Sequence, residues 1–159
     1  MIGMDYECFP ASGMFTVSDP MFFLFDGTDV SRGDTFPLVT GIEVDRAYPL
    51  PGTPDNLQIV ADNPTTCADT QSVSTTTYYS AKSGAGVFAT GSIAWIVRAM
   101  RTFPTGDPRH VPQQSATFVE QVTLNLWRAM LAGRMGQAHP AVGNIDDFDL
   151  ARTNTTGTV

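Results

Sequence analysis

The residues best suited to chemistry in this sequence are charged side chains in an otherwise apolar segment. Glu43, Asp45 and Arg46 fall in the pattern GIEVDR at residues 41–46, in a chain in which only 16% of residues are charged. Side chains alternate between faces along a strand, so Glu43 and Asp45 share one face about 7 Å apart. Two carboxylates at this spacing can hold a hard metal ion, and Arg46 can pair with either of them. The alternative is a solvent-exposed, salt-bridged sheet face without a catalytic role.

Two other patterns superficially suggest catalytic or binding sites. Ser92 follows a glycine, as some nucleophiles do, but His110 and His139 are remote in sequence and no general base is adjacent. Hydroxyl capping of a strand-to-helix corner is the favoured role for Ser92. The glycine-containing run at 82–86 lies between two predicted strands, whereas a phosphate site needs a helix N-terminus behind the loop. We therefore interpret 82–86 as a hairpin turn.

The two cysteines, Cys8 and Cys67, occur in unrelated contexts. With no CxxC pair and two distant histidines, the Cys/His zinc patterns are excluded and a secreted disulfide framework is not expected. A Cys8–Cys67 bridge stays open, as does the alternative of two free thiols buried in the core.

Length and charge restrict the class of protein. The 159 residues predict one domain, and 9 basic against 16 acidic residues give a net charge of −7. This balance repels phosphate backbones and anionic lipids, so we expect neither a nucleic-acid nor a membrane partner. The longest apolar run, residues 21–25, is too short to span a bilayer, and residues 1–10 lack the pattern of a signal peptide. Cytoplasmic localisation is the resulting expectation.

Strands dominate the first part of the chain. Alternation and β-branched or aromatic content predict strands at 38–46, 57–61, 75–80 and 85–90, the last two forming a hairpin. Residues 21–25 are apolar at every position, which suits a buried strand or a short buried helix. The polar run at 63–71 is predicted to be an exposed loop of low order.

A helical period begins near residue 115. Apolar residues recur at four-residue spacing, which predicts a long helix over 115–133. Thr117 and Glu120 fit a capping box, and Gly133 suits the position after the last turn. We predict a single domain over residues 1–136 and a flexible tail over 137–159.

Several of these segments resemble a known family. The segment SGAGVFATGSIAW at residues 83–95 is similar to the GGG-V-F-S-x-G-S-I-x-W segment of the N,N-dimethylformamidase large (beta) subunit-like C-terminal domain family. Over about residues 14–134, three further runs resemble its motifs: GIEVDR at 41–46, FLFDGT at 23–28 with Gly33 and Asp34, and the helix containing Val122, Asn125, Leu126 and Trp127.

The resemblance implies a fold and a reaction. The fold would be α/β or α+β, with a mixed sheet from a partial flavodoxin-like or glutamine-amidotransferase-like domain and a long C-terminal helix. The reaction would be hydrolysis of the C–N bond of an N-substituted formamide, with Fe(III) held by two tyrosines and a glutamate. Such an ion acts as a Lewis acid and lowers the pKa of a bound water. Carried over by motif, Glu43 is the candidate metal ligand, and Glu43, Asp45 and Arg46 are the candidate catalytic residues.

The chain also departs from the family pattern. None of its tyrosines (Tyr6, Tyr48, Tyr78 and Tyr79) lies in a ligand motif, and the half of the family domain that carries those ligands precedes the matched region. The resemblance therefore implies a homo-oligomer or a partner chain that supplies the missing half, with a small-molecule amide as substrate. The alternative is a non-catalytic interaction module that keeps only the scaffold and needs no cofactor.

Overall fold

The computed structural model describes residues 2–101 and 103–150 and shows an α+β fold. One sheet contains β1 (Asp5–Thr16), β2 (Thr35–Arg46), β3 (Gln58–Cys67), β4 (Thr70–Ser80) and β5 (Gly86–Ala89). The long helix is α1 (Gln113–Leu131), followed by the short α2 (Met135–Ala138). Three single-turn elements complete it: 3₁₀ helices at Phe23–Phe25 and Ile145–Asp147, and a π-helix at Trp95–Ala99.

The sheet has the strand order β2-β1-β3-β4-β5 and is curled. Every described pair of neighbouring strands is antiparallel. A bridge between Val44 of β2 and Ser92, just after β5, brings the two ends of the sheet together. The α+β alternative therefore agrees with the structure. The flavodoxin-like arrangement, which needs parallel strands, is not confirmed, and the expected mixed sheet is antiparallel throughout its described pairs.

The core is aromatic and lies between the concave face of the sheet and α1. Phe15 of β1 packs edge-on or tilted against Phe25, Phe36, Trp95 and Phe118 at centroid distances of 5.2–6.3 Å. Such arrangements are favoured by the ring quadrupole. This cluster fixes α1 against the sheet.

Two predicted segments differ from the structure. The apolar run 21–25 contains a 3₁₀ helix and is not a strand, so the helical alternative is the correct one. The loop expected at 63–71 is wrong, because β3 continues to Cys67 and β4 starts at Thr70. Two of its polar residues, Asn63 and Thr65, are buried. The Asn63 side-chain oxygen accepts from Thr16 N at 2.8 Å and the Thr65 hydroxyl donates to Asn63 O at 2.8 Å, while the Asn63 side-chain nitrogen has no partner among the described residues. A satisfied polar group can occupy a buried strand, which composition alone does not reveal.

The long helix is confirmed with different ends. It begins at Gln113 and ends at Leu131, and Gly133 adopts a φ of 126° just beyond it. The predicted capping box is wrong, because Thr117 lies inside the helix, where its hydroxyl accepts a hydrogen bond from the Gln113 side chain. Pro112 precedes the first turn, where a residue without an amide hydrogen is tolerated.

Part of the predicted tail contacts the sheet. The Asn144 side chain bonds to the backbone of Ile59 through both its oxygen, at 2.6 Å, and its nitrogen, at 3.0 Å. Leu150 is buried against Leu57 and Ile59. The remainder of that tail, 151–159, lies outside the described residues, and the division of the chain at residue 136 stays a prediction.

Cys8 and Cys67 form a disulfide, with their Cα atoms 5.9 Å apart. The bridge was one of two alternatives left open by the sequence. It joins β1 to the far end of β3, and such bonds persist in oxidising compartments. Within the described residues, none of the helices has the length and apolar character needed to cross a bilayer.

Candidate functional site

Glu43 and Asp45 line a cleft of about 470 Å³ at the end of the sheet that carries the Val44–Ser92 bridge. We call this the carboxylate cleft. Its other walls are the residues before β1, the end of β5, and the segment entering the π-helix: Ile2, Met4, Phe88, Ala89, Thr90, Gly91, Ser92, Ile93 and Ile96. The predicted alternation holds, since Val44 is buried while Glu43 is exposed and Asp45 is half-buried. The two carboxylates therefore face a concave apolar surface.

The backbone of the cleft is fixed by the closure of the sheet. Asp45 N donates to Gly91 O at 3.0 Å, and Ile93 N donates to Glu43 O at 3.2 Å. Ile42 adopts a φ of 68°, a conformation that costs roughly 1–2 kcal/mol for a residue with a side chain. It lies where the β1–β2 register shifts, and such bulges often re-aim side chains beside functional sites. The strained residue precedes Glu43 directly.

The electrostatics of the cleft are acidic. Burial raises the pKa of Asp45 above its usual value, and the negative charges of Glu43 and Asp5 raise it further. Each effect disfavours the charged form of the carboxyl group. Asp45 is thereby suited to exchange a proton at a higher pH than an ordinary aspartate.

The raised pKa predicts a pH-dependent effect of Asp45→Asn. A carboxyl whose pKa is higher in the folded state destabilises the fold as pH rises above its unfolded value of 3.8. We expect Asp45→Asn to increase the unfolding midpoint in urea at pH 7 and to leave it unchanged near pH 3.5. Asp69→Asn, at the exposed β3–β4 turn, is the matched control. A variant less stable than the parent at pH 7 would contradict this account.

Arg46 does not belong to this cleft. Its side chain is buried on the other face of the sheet, where its guanidinium lies 4.0 Å from Glu7 and 5.3 Å from the ring centre of Tyr48. It also donates to the carbonyl of Asp149 at 3.3 Å. The pairing that the sequence allowed between Arg46 and Glu43 or Asp45 is therefore replaced by a pairing with Glu7. The catalytic roles assigned to Glu43, Asp45 and Arg46 stay predictions.

The Glu7 contacts were missed by sequence reasoning. Glu7 accepts hydrogen bonds from the hydroxyls of Tyr48 and Ser72 in addition to its ion pair with Arg46. Asp62 adjoins the same group: burial raises its pKa, and the positive charge of Arg46 lowers it. The one signal in the sequence was the scarcity of charged residues. The contact itself could not be foreseen, because Glu7 and Arg46 are 39 positions apart and meet only through the β1–β2 register.

Ser92 has the capping role favoured by the sequence. Its hydroxyl oxygen accepts from Ala94 N at 3.2 Å and from Gly41 N at 2.9 Å, and it donates to Gly41 O at 3.1 Å. The histidines are engaged elsewhere: His110 Nδ1 lies 2.8 Å from Phe103 O, and His139 stacks on Phe23 at 4.0 Å. The contacts with Gly41 link Ser92, just after β5, to β2 at the other end of the sheet. Neither histidine is placed to act as a base for Ser92.

A second cleft, of about 510 Å³, lies between α1 and the segment after the π-helix. Trp127, whose side chain is 57% exposed, lines it with Met100, Phe103 and Leu124. Trp95, by contrast, is buried in the core. The two tryptophans therefore differ, since Trp95 is in the core and Trp127 lines an open cleft.

The segments that form the carboxylate cleft also carry the motifs of a known family. The family described as "N,N-dimethylformamidase beta subunit-like, C-terminal" matches residues 1–107, two thirds of the chain. The chain belongs to this family. The match includes β1 to β5, the carboxylate cleft and the π-helix, and it ends before α1. No curated protein matches the chain.

The iron ligands implied by the family resemblance do not assemble at Glu43. The residues that line the carboxylate cleft include no tyrosine. The described contact between a glutamate and a tyrosine, Glu7–Tyr48, lies beside the cationic Arg46, which opposes a metal ion. Across the described parts of the chain, no group of three or more His, Cys, Asp or Glu side chains is placed to hold a metal. The lining of the carboxylate cleft thus does not by itself present the set of two tyrosines and one glutamate.

Proposed function

We propose that this N,N-dimethylformamidase-related domain contributes Glu43 and Asp45 to an amide-hydrolysing site that a second polypeptide segment completes. The supporting observation is that the GIEVDR and SGAGVFATGSIAW segments, which carry the family resemblance, line one cleft together. Asp45 and Ser92, from these two segments, both border it. The family match supports relatedness to dimethylformamidase, and the reaction itself is the proposal.

The chemistry open to the two carboxylates is proton transfer. A carboxylate can accept a proton from water as the water oxygen bonds to the carbonyl carbon of an N-substituted formamide. The C–N bond then breaks as the proton passes to the leaving nitrogen, giving formate and an amine. Asp45 is the better proton acceptor, because its carboxyl is the more strongly desolvated of the two. The apolar walls around it suit the methyl groups of a small amide.

The completing segment would supply the groups absent from the cleft. A partner chain or a second copy bringing tyrosines could create the Fe(III) site implied by the resemblance, so the cofactor stays a prediction that depends on that partner. Exposed apolar side chains border both clefts and support an interaction of this kind: Ile93, Ile96, Met100, Leu124 and Trp127. The beta-subunit description of the family also supports a partner. Cytoplasmic residence stays a prediction, and the Cys8–Cys67 disulfide favours an oxidising compartment instead.

Glu43→Gln tests the proposal. We expect it to abolish hydrolysis of N,N-dimethylformamide, measured as formate released by the chain with its partner, and to abolish iron uptake measured by metal analysis. Its free energy of unfolding should change by no more than about 0.5 kcal/mol, because the side chain is exposed. Asp69→Asn serves as the control of equal charge change. Parent-like turnover and iron content in Glu43→Gln would refute the proposal.

The second candidate function is a non-catalytic interaction module. The exposure of Trp127 and the absence of tyrosine from the carboxylate cleft favour it. Metal analysis separates the two functions: one iron per chain, with the visible absorption of a tyrosinate–iron charge-transfer band, supports the hydrolase. Colourless protein that cannot be reconstituted with iron, in the presence of its partner, supports the module.

A further inference from the structure

We infer that the Cys8–Cys67 disulfide is a redox-controlled clamp that holds residues 2–8 over the carboxylate cleft. A dithiol reductant would transfer two electrons and two protons to the bridge, giving two cysteine thiols and the oxidised reductant. The consequence would be local: residues 2–8 loosen and the cleft loses one wall, while β3 and β4 stay folded. This inference does not depend on the proposed hydrolase activity.

The disulfide lies where β1 separates from β3. These two strands pair over only three positions, at Ala11–Cys67, Ser12–Thr66 and Gly13–Thr65. Cys8 is three residues before the first of these pairs. The disulfide therefore extends the connection between β1 and β3 past the end of their hydrogen-bonded ladder.

On the other side, β1 pairs with β2 in an irregular register. Their register shifts between Tyr6 and Cys8 and again between Cys8 and Ala11, so the ladder is interrupted on both sides of the bridge. Each interruption removes the regular hydrogen bonds that would otherwise hold the strand. Covalent attachment at Cys8 compensates for this irregular pairing.

The residues held by the clamp form one side of the carboxylate cleft. Ile2 and Met4 line it together with Glu43 and Asp45, and Tyr6 is the register partner of Asp45. Glu7, next to the bridge, makes the hydrogen bonds to Ser72 and Tyr48 described above. Releasing Cys8 thus weakens the hold on the segment that lines the cleft together with the two carboxylates.

The bridge is also accessible to a reductant. Both cysteines are half-buried, and the turn that follows Cys67 is exposed. Cys67 belongs to the exposed end of the β3–β4 hairpin and lies apart from the aromatic core. Reduction therefore does not require the core to unfold first.

Hydrogen–deuterium exchange with and without dithiothreitol tests the clamp. We expect reduction to raise the amide exchange rate in residues 2–8 at least tenfold and to leave β4 unchanged, while titration detects two free thiols where it detected none. The Cys8→Ser/Cys67→Ser double variant should show the same exchange pattern as the reduced protein, and dithiothreitol should not change that pattern.

Three results would overturn the inference. The first is an unchanged exchange rate in residues 2–8 after two thiols have been released. The second is a thiol count that stays at zero under dithiothreitol in the folded protein. The third is a uniform loss of protection in β4 and residues 2–8 alike, which would make the disulfide a global stabiliser. Because none of these measurements uses amide hydrolysis, they stand apart from the test of Glu43.

Discussion

Gly91→Ala is expected to prevent stable folding. Gly91 adopts a φ of 65°, and a Cβ atom there would lie 1.9 Å from the carbonyl oxygen of Thr75. The surrounding backbone cannot move away easily, because Gly91 O also accepts hydrogen bonds from Asp45 N and from the Ser74 hydroxyl. The clash and the lost hydrogen bonds together should cost more than about 4 kcal/mol. Soluble yield and urea unfolding of the variant measure the effect.

Gly33→Ala separates the clash from the backbone conformation. Gly33 has a φ of 89°, but a Cβ atom there would meet nothing within 4 Å. We expect this variant to lose only about 1–2 kcal/mol, the cost of placing an alanine in the left-handed region. Equal losses in the two variants would show that close packing at Gly91 contributes nothing.

The second large effect is expected from Arg46→Met. Arg46 is only 3% exposed, and its removal leaves the carboxylates of Glu7 and Asp62 without their cation. Breaking a buried ion pair from one side typically costs 3–5 kcal/mol, and we expect a loss of about that size in urea unfolding at pH 7. Without Arg46 the pKa of Asp62 rises further above 3.8 in the folded state. The loss of stability should therefore shrink as pH falls towards 4.

Arg109→Met is the matched control. Arg109 binds Asp107 through two side-chain hydrogen bonds, of 2.9 and 2.7 Å, and these lower the pKa of Asp107 to about 2. The distance between the charged groups is much shorter here than between Arg46 and Glu7, but this pair is exposed to water, which screens its attraction. We expect almost no change in stability. A larger loss of stability for Arg109→Met than for Arg46→Met would mean that a short distance between the charged groups contributes more to stability than their burial does.

Much of the fold was predictable because its signals are local. The alternation of Val44 with Glu43 and Asp45 predicted β2, and the four-residue spacing of apolar positions predicted α1. The 63–71 segment was mispredicted because the burial of Asn63 depends on a hydrogen bond from Thr16, 47 positions away. The strand order likewise depends on the pairing of β1 with β3, which are not consecutive in sequence.

The candidate site was predictable to a smaller extent. The charge pattern and the motif resemblance both led to Glu43 and Asp45, and their shared cleft agrees with the strand period. The assignment of Arg46 to the same group failed because side chains alternate along β2, so Arg46 lies on the face of the sheet opposite to Asp45 and Glu43. The Glu7–Tyr48 contact spans 41 positions and has no motif. Such contacts emerge only after the strand register is known.

The bridge between Val44 and Ser92 has a thermodynamic consequence for any ligand of the carboxylate cleft. Hydrogen bonds on both sides of this bridge hold the backbone of Glu43 and Asp45 before a ligand arrives. Little backbone freedom remains to be lost on binding, so the entropic penalty should fall on side chains and on residues 2–8. Calorimetric titration of the oxidised chain should therefore give a less unfavourable binding entropy than titration of the reduced chain with the same ligand.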